Sequence, residues 1–561
     1  MSLCFPLGID DFSKIRKENY YYVDKTGFIK ELLGDPFEVN LITRPRRFGK
    51  TLTMSMMEDF FDIGRDSRDD FQGLFIYNEK ELCKQWMNQW PTLFLTLKSV
   101  EGRTFESAYG MLKVLIAGLC KQYSFLEESS YVDRDDKTIF KQLKAQNSTP
   151  ENLKDCLYTL TRMLFSHYRK PVIVLIDEYD VPLAKASDHG YYIEMLEIIR
   201  ALFSNVLKTN KYLKFAVITG CLRISKESIF TGSNNFVANS ISDNRFEEWI
   251  GFTQQDVSKL LTDAHFTDKM EEIRIWYDGY RFGSVAVYCP WDVLNHVAAL
   301  QKNPDRMPQN YWENTSHNSI IRKFIDRRDL WKEEQINEDF EVLLEGGSIE
   351  KKLEENLTYD MIHSTAENLW SLLYLTGYLT KTVKDDETYD ERGKTELRIP
   401  NEEIRQLFRT TVSDWFKDQM RISDRTELFD ALWQQDEEKC SSILSDMIFN
   451  TISYHDYRED YYHAFMTGVL SFAGYKVKSN EERGEGRPDI ILWDERRGRA
   501  MVIEIKRTDS IKKLEFTCEA AIRQIESRRY AEAFEEEYEE IIGFGICFYK
   551  KRCMVKSKRF R

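Results

Sequence analysis

Two groups of residues in this chain carry side-chain types that handle phosphate. The first is Gly49-Lys50-Thr51, preceded by Arg44, Arg46 and Arg47, with Asp177-Glu178 far downstream. Where a strand and a tight loop lead into a helix N-terminus, backbone N–H groups and the positive end of the helix dipole face an anion. Lys50 would then bridge the β- and γ-phosphates of ATP, and the Thr51 hydroxyl would bind magnesium. Asp177 would hold magnesium through water, and Glu178 would polarise the attacking water. The second group is Asp489, Glu504 and Lys506. Two hard-oxygen ligands for magnesium with an ammonium beside them suit phosphodiester hydrolysis.

Each group has a bland alternative. The phosphate-loop pattern GxxxxGK[ST] is incomplete, because Arg44 stands where its first Gly belongs. Gly49 would then be an ordinary turn residue and Lys50 a surface lysine. Asp177 and Glu178 could cap the following helix. Asp489, Glu504 and Lys506 could form an ion pair on a half-exposed hairpin. Against these stands the cost of placing carboxylates at the end of a buried strand, or inside one, without a use for them.

The elements that must position these residues are legible as apolar runs. Phe37–Thr43, Pro91–Leu97, Pro171–Asp177 and Leu213–Thr219 are short, rich in β-branched and aromatic residues, and separated by helix-length stretches. That pattern predicts buried parallel strands of an α/β sheet, with ligands beyond the strand C-termini. Thr219 and Arg223, at and after the end of the fourth run, are placed to sense a γ-phosphate, or to offer an arginine to a neighbouring subunit of a homo-oligomer. Residues 256–445 read as mainly helical, with three- and four-residue apolar spacing in Phe252–Ala264, Ala366–Leu379 and Asn401–Phe416. Lys384–Glu396 reads as a hairpin or loop. Residues 487–507 form two apolar runs around a polar turn at Glu495–Arg499, a hairpin that sets Asp489 nearly opposite Glu504 and Ile505. Glu504 and Lys506 share a face by the two-residue strand period.

With 561 residues, 42% hydrophobic, 31% charged, 26 Gly and 12 Pro, the chain is globular and multi-domain. Disordered, collagen-like and disulfide-scaffold classes are excluded. Ten Cys without a CxxC pair give no zinc spacing. No apolar run reaches about 18 residues and the N-terminus has no basic leader, so the expectation is a cytoplasmic protein with no membrane partner. The net charge of -14 argues against nucleic acid only if it is evenly spread. Residues 451–561 hold 22 Lys and Arg against 20 Asp and Glu, about +2, which leaves about -16 on the rest. Lys550, Lys551 and Arg552 open a final stretch with seven basic residues and no acid. It reads either as a phosphate-binding patch or as a solvated tail.

Six segments in order, Tyr20–Leu33, Arg44–Thr51, Val174–Asp180, Ile218–Phe236, Trp276–Gly283 and Tyr311–Ser319, carry a resemblance. Together they resemble AAA-ATPase-like proteins with a C-terminal PD-(D/E)XK nuclease domain. The resemblance implies a P-loop NTPase parallel sheet over 1–255, a mainly helical lid and connector over 256–445, and a restriction-endonuclease-like α/β domain over 446–561. The form Arg-Pro-Arg-Arg-Phe-Gly-Lys is that family's usual phosphate loop, which accounts for Arg44 and adds Arg47 to the nucleotide-binding set. The resemblance also assigns Glu459 as a further acidic metal ligand, and Gln524, which with Tyr530 forms a signature on one helix, as a nucleic-acid-binding residue. The function implied is a nucleotide-controlled, magnesium-dependent nuclease acting on nucleic acid, DNA ahead of RNA. The alternative is an ATP switch that binds a partner or nucleic acid with little or no cleavage.

Overall fold

Strands that are apolar on both faces must be covered on both faces, and the residues expected to handle phosphate in the first half lie at the ends of such strands. The computed structural model describes residues 3–561 except 36, 224–234, 313–338, 341, 356, 358–364, 383–392, 412–425, 452–458, 472–474, 480–487, 496, 535–536 and 551. The chain packs as two compact units, Met1–Asn314 with Ser348–Arg405, and Thr315–Gly347 with Gln406–Arg561.

In the first unit, β1 (Val39–Thr43), β2 (Thr92–Thr96), β3 (Val172–Asp177), β4 (Leu213–Gly220) and β5 (Phe236–Asn239) form one sheet in the order β2-β3-β4-β1-β5. Every pairing is parallel. β1 and β3 are wholly buried, as their apolar text requires. β5 was not foreseen: its text, Phe-Val-Ala-Asn, is too short to separate from a loop by pattern alone. Because β4 lies between β1 and β3, the loop after β1 and the acids after β3 flank the end of β4.

The rest of this unit is helical with short strands inserted. The helix Gln254–Ala264 starts on a capping box, in which Thr253 and Asp256 satisfy each other's backbone N–H groups. Its apolar face packs with Tyr277, Tyr288, Val293 and Val297. A two-stranded pair, β6 (Tyr280–Phe282) with β7 (Val285–Val287), follows. A three-stranded antiparallel sheet joins β8 (Ile349–Lys351), β10 (Thr395–Arg398) and β9 (Thr380–Lys381). The middle of the chain is therefore helical with interleaved strands. The turn predicted within Lys384–Glu396 lies mostly outside the described residues.

In the second unit, β11 (Lys476–Ser479), β12 (Ile490–Asp494), β13 (Arg499–Arg507), β14 (Glu540–Tyr549) and β15 (Arg552–Arg559) form a mixed sheet in chain order. β12 and β13 are the predicted hairpin, while β13 and β14 run parallel. The helix Leu514–Ser527 makes the crossover that a parallel pair needs. Its close approach requires Gly545, where a Cβ would sit 2.5 Å from the Cys518 carbonyl oxygen. The helix ends before Tyr530, which instead joins a core cluster with Trp493 and Phe534. Gln524 and Tyr530 therefore do not share a helix.

The basic C-terminal stretch is a paired strand and not a tail. The backbone N–H groups of Cys553, Val555 and Ser557 donate to Ser445, Ser441 and Glu437 of the helix Glu437–Thr451. A helix thus covers what would be an open sheet edge. Lys556 bridges Glu437 and Glu515, Lys558 pairs with Glu526, and Arg559 pairs with Glu540. Acids contributed by other elements answer these three residues of the basic run, which composition could not reveal.

Candidate nucleotide site and candidate nuclease site

The phosphate loop runs from Thr43 at the end of β1 to Lys50, the first residue of the helix Lys50–Phe61. Arg47 and Gly49 take positive φ of 69° and 91°, which turns the chain sharply onto the helix. No atom lies within 4 Å of where a Gly49 Cβ would be, so the glycine serves the backbone conformation and not a close contact. The first-turn N–H groups of a helix have no intrahelical acceptor and are available to an anion. Lys50 is buried beneath this loop, its Nζ donating to the carbonyls of Arg44 at 3.0 Å and Pro45 at 2.9 Å.

Asp177 is the organising acid. It is fully buried, and its carboxylate accepts from Thr51 Oγ1 at 2.8 Å, Thr219 Oγ1 at 2.6 Å and Thr96 Oγ1 at 3.3 Å. Thr219 is thus committed to the acid, and Thr96 was missed in the sequence. Its signal was a polar residue ending an apolar run, as Asp177 does one strand away. Asp180 accepts from the N–H groups of Cys221 and Leu222, fixing the turn after β4. Glu178 sits at φ 51°. Burial raises its carboxyl above the usual range, while the charges of Lys50 and Arg46 act in the opposite direction. These residues fit a magnesium–nucleotide complex: Thr51 and Asp177 already meet, with Lys50 beside them. Arg223 is the last described residue before 224–234, and its Nε is buried without a hydrogen-bond partner among the described residues.

The loop arginines divide their work. Arg44 turns away from the loop and is fully buried, with its guanidinium donating to the carbonyls of Thr43, Asn239, Ser240 and Arg245. Its charge therefore serves β5 and the following turn, and does not add to the phosphate-facing set. Arg44→Ala leaves these buried carbonyls unpaired and should cost about 3 kcal/mol of stability. A denaturation midpoint equal to wild type would contradict that role.

Arg47 stacks on Trp291, 4.9 Å from the ring centroid, and donates to the Tyr311 carbonyl. Tyr311 and Trp312 donate their N–H groups to Glu403, and Trp312 Nε1 donates to Asp292. Asp292 and Glu403 are both fully buried. Burial raises both carboxyls, and the Asp292 charge raises Glu403 further, so Glu403 keeps the proton. A carboxyl raised on folding stabilises fully below its ordinary range of about 4, and that contribution is lost as pH rises through its folded value. Glu403→Gln keeps the hydrogen bonds without the titration. Its melting temperature should fall less than that of wild type as pH rises above about 4; an identical slope would contradict the raised Glu403 carboxyl.

In the second unit, Glu504 on β13 is 2% exposed. Its Oε1 accepts from Lys506 Nζ at 3.1 Å and from Gln524 Nε2, while Oε2 is buried with no hydrogen-bond partner among the described residues. Burial first, then repulsion from Asp489, pushes the Glu504 carboxyl up to about 7, with Lys506 working the other way. Asp489, just before β12, accepts from the Ile505 N–H at 2.7 Å, which places it beside Glu504 as the hairpin register requires. Gln524 reaches the acid itself. An orphaned carboxylate oxygen beside a second carboxylate fits a divalent cation. Among the described residues, no group of three or more His, Cys, Asp or Glu side chains is placed to hold a metal ion. The remaining acid, Glu459, opens the helix Glu459–Leu470, but its side chain lies outside the described residues.

His463 was missed in the sequence. It lies one turn after Glu459, and its Nε2 is 3.0 Å from the Asp489 carbonyl oxygen, tying that helix to the hairpin. The spacing Glu459–His463 on one helix face was the available signal. Lys550 occupies the β14–β15 turn, where its carbonyl accepts from Tyr462. Arg552 is exposed, and Lys551 lies outside the described residues.

Residues 6–230 match the family model described as predicted AAA-ATPase, and residues 457–558 match the PD-(D/E)XK nuclease superfamily. An uncharacterized protein in the vnfD 5′ region of Azotobacter chroococcum is 25% identical over 97% of this chain and 96% of its own length. Among solved structures, the Aeropyrum pernix ORC2 protein in ADPNP-ADP complexes matches at 10% identity, over 69% of this chain and 92% of its own. Its TM-score is 0.24. Among the described residues, no helix is long and apolar enough to cross a membrane.

Proposed function

For an AAA-ATPase-like protein with a C-terminal PD-(D/E)XK nuclease domain, we propose a magnesium-dependent nuclease that cleaves DNA under the control of ATP bound in the first unit. The observation that carries this reading is Glu504, a carboxylate buried in a central strand with one oxygen unpartnered among the described residues, flanked by Asp489, Lys506 and Gln524. A carboxylate held this way is costly unless a cation completes it.

Asp489 and Glu504, with Glu459 as a third ligand, would hold the metal, which when bound supplies Lewis-acid stabilisation of charge on the scissile phosphate. Lys506 orients the attacking water and answers the negative charge that builds on the phosphate oxygens. Gln524 holds the Glu504 carboxylate in place, and the Ile505 N–H does the same for Asp489. In the first unit, Lys50 and the helix N-terminus bind the phosphates. Thr51 and Asp177 would hold magnesium, and Glu178 is the base for the attacking water. Thr219 and Thr96 fix Asp177, and Arg223 reads the γ-phosphate or serves a neighbouring copy. A cytoplasmic protein with these two sites meets both ATP and DNA.

The test is incubation of the full chain with DNA and with RNA, each with and without magnesium and ATP. Metal-dependent cleavage of DNA supports the reading. Binding without cleavage under every condition would sink it and favour an ATP switch.

A further inference from the structure

Phe516 is 67% exposed on the helix Leu514–Ser527, and Ile511 just before it is 45% exposed. Single exposed apolar residues are ordinary on a protein surface. This one differs in its company. The segment begins where β13 ends in Lys506 and Arg507, and passes through Lys512 and Lys513, for which no ion pair occurs among the described residues. The guanidinium of Arg523, which also pairs with Glu519, lies 5.3 Å from the Phe516 ring centroid. Arg523 is the neighbour of Gln524, which holds Glu504. Phe516 precedes Gln524 by eight residues, about 12 Å along the axis and about 80° around it. A stacked strand rises about 3.4 Å per nucleotide and would cover that distance in about three to four nucleotides.

We propose that Phe516, backed by Arg523 and the Lys512-Lys513 pair, is a base-stacking platform that selects single-stranded or frayed nucleic acid at the Glu504 site. This rests on the nuclease reading of that site and names its substrate class. An exposed ring offers a face to any base, and cations around it answer the phosphates, which together give sequence-tolerant binding of single strands. A duplex keeps its bases stacked on one another and has no free face to offer the ring.

The test uses the full chain carrying Glu504→Gln, with fluorescence anisotropy on oligo-dT, oligo-rU and a DNA duplex of equal length at fixed salt. Phe516→Ala should weaken single-strand binding about 10-fold, Phe516→Trp should retain it, and duplex binding should not change. The two oligonucleotides separate DNA from RNA as the preferred strand. Phe516 is exposed, so neither substitution disturbs a core. Equal single-strand binding by Phe516→Ala, an equal loss on duplex, or no single-strand binding by the parent would each overturn the proposal. Absence of cleavage by wild type, with the Phe516 pattern intact, would instead remove the nuclease reading and leave the platform standing.

Discussion

Glu504→Gln is expected to reduce metal-dependent cleavage about 1000-fold or more, while nucleic-acid binding and the fold persist. The substitution keeps the volume of a side chain that is 2% exposed in the middle of β13, so no cavity opens. It removes the charge that a divalent cation needs, and the ion pair between Glu504 and Lys506. Lys506→Ala should cause a comparable loss without weakening metal binding, because the ammonium acts on the water and phosphate and not on the cation. If Glu504→Gln cleaves at the wild-type rate, Glu504 is a structural ion-pair residue, and the catalytic reading of the hairpin fails.

Lys50→Ala should weaken ATP binding about 100-fold or more, read by calorimetry or by a fluorescent nucleotide. The ammonium lies beneath the loop on the carbonyls of Arg44 and Pro45, already next to where the helix N-terminus would receive phosphates. A buried, charge-assisted contact of this kind contributes about 3 kcal/mol, which sets the scale. Glu178→Gln should leave binding intact and block turnover, since Glu178 lies beside Asp177 but supplies none of the hydrogen bonds that hold Thr51 and Thr219. Unchanged turnover in Glu178→Gln would remove its role as the base.

Four of the five strands in the first sheet were legible, because buried parallel strands are written as short apolar runs. The hairpin β12–β13 was legible with its register, because a two-residue period fixes which residues face each other. That register already set Asp489 against Glu504 and Lys506 on one side. What sequence could not convey was the destination of long side chains. Arg44, Arg46 and Arg47 look alike as loop cations, yet Arg44 folds back onto four backbone carbonyls, and Arg47 lies on Trp291, 244 residues away in sequence. Within the C-terminal basic run, Lys556, Lys558 and Arg559 find acids from three other elements, which the charge count could not convey. Short elements such as β5 were lost because four residues carry too little periodicity.

The most direct measurement is cleavage of single-stranded and double-stranded DNA by wild type, Glu504→Gln and Lys50→Ala, with magnesium and ATP each present or omitted. The account predicts cleavage by wild type that needs magnesium, is lost in Glu504→Gln, and no longer responds to ATP in Lys50→Ala. Wild-type protein that never cuts, or cleavage that survives Glu504→Gln, would contradict it.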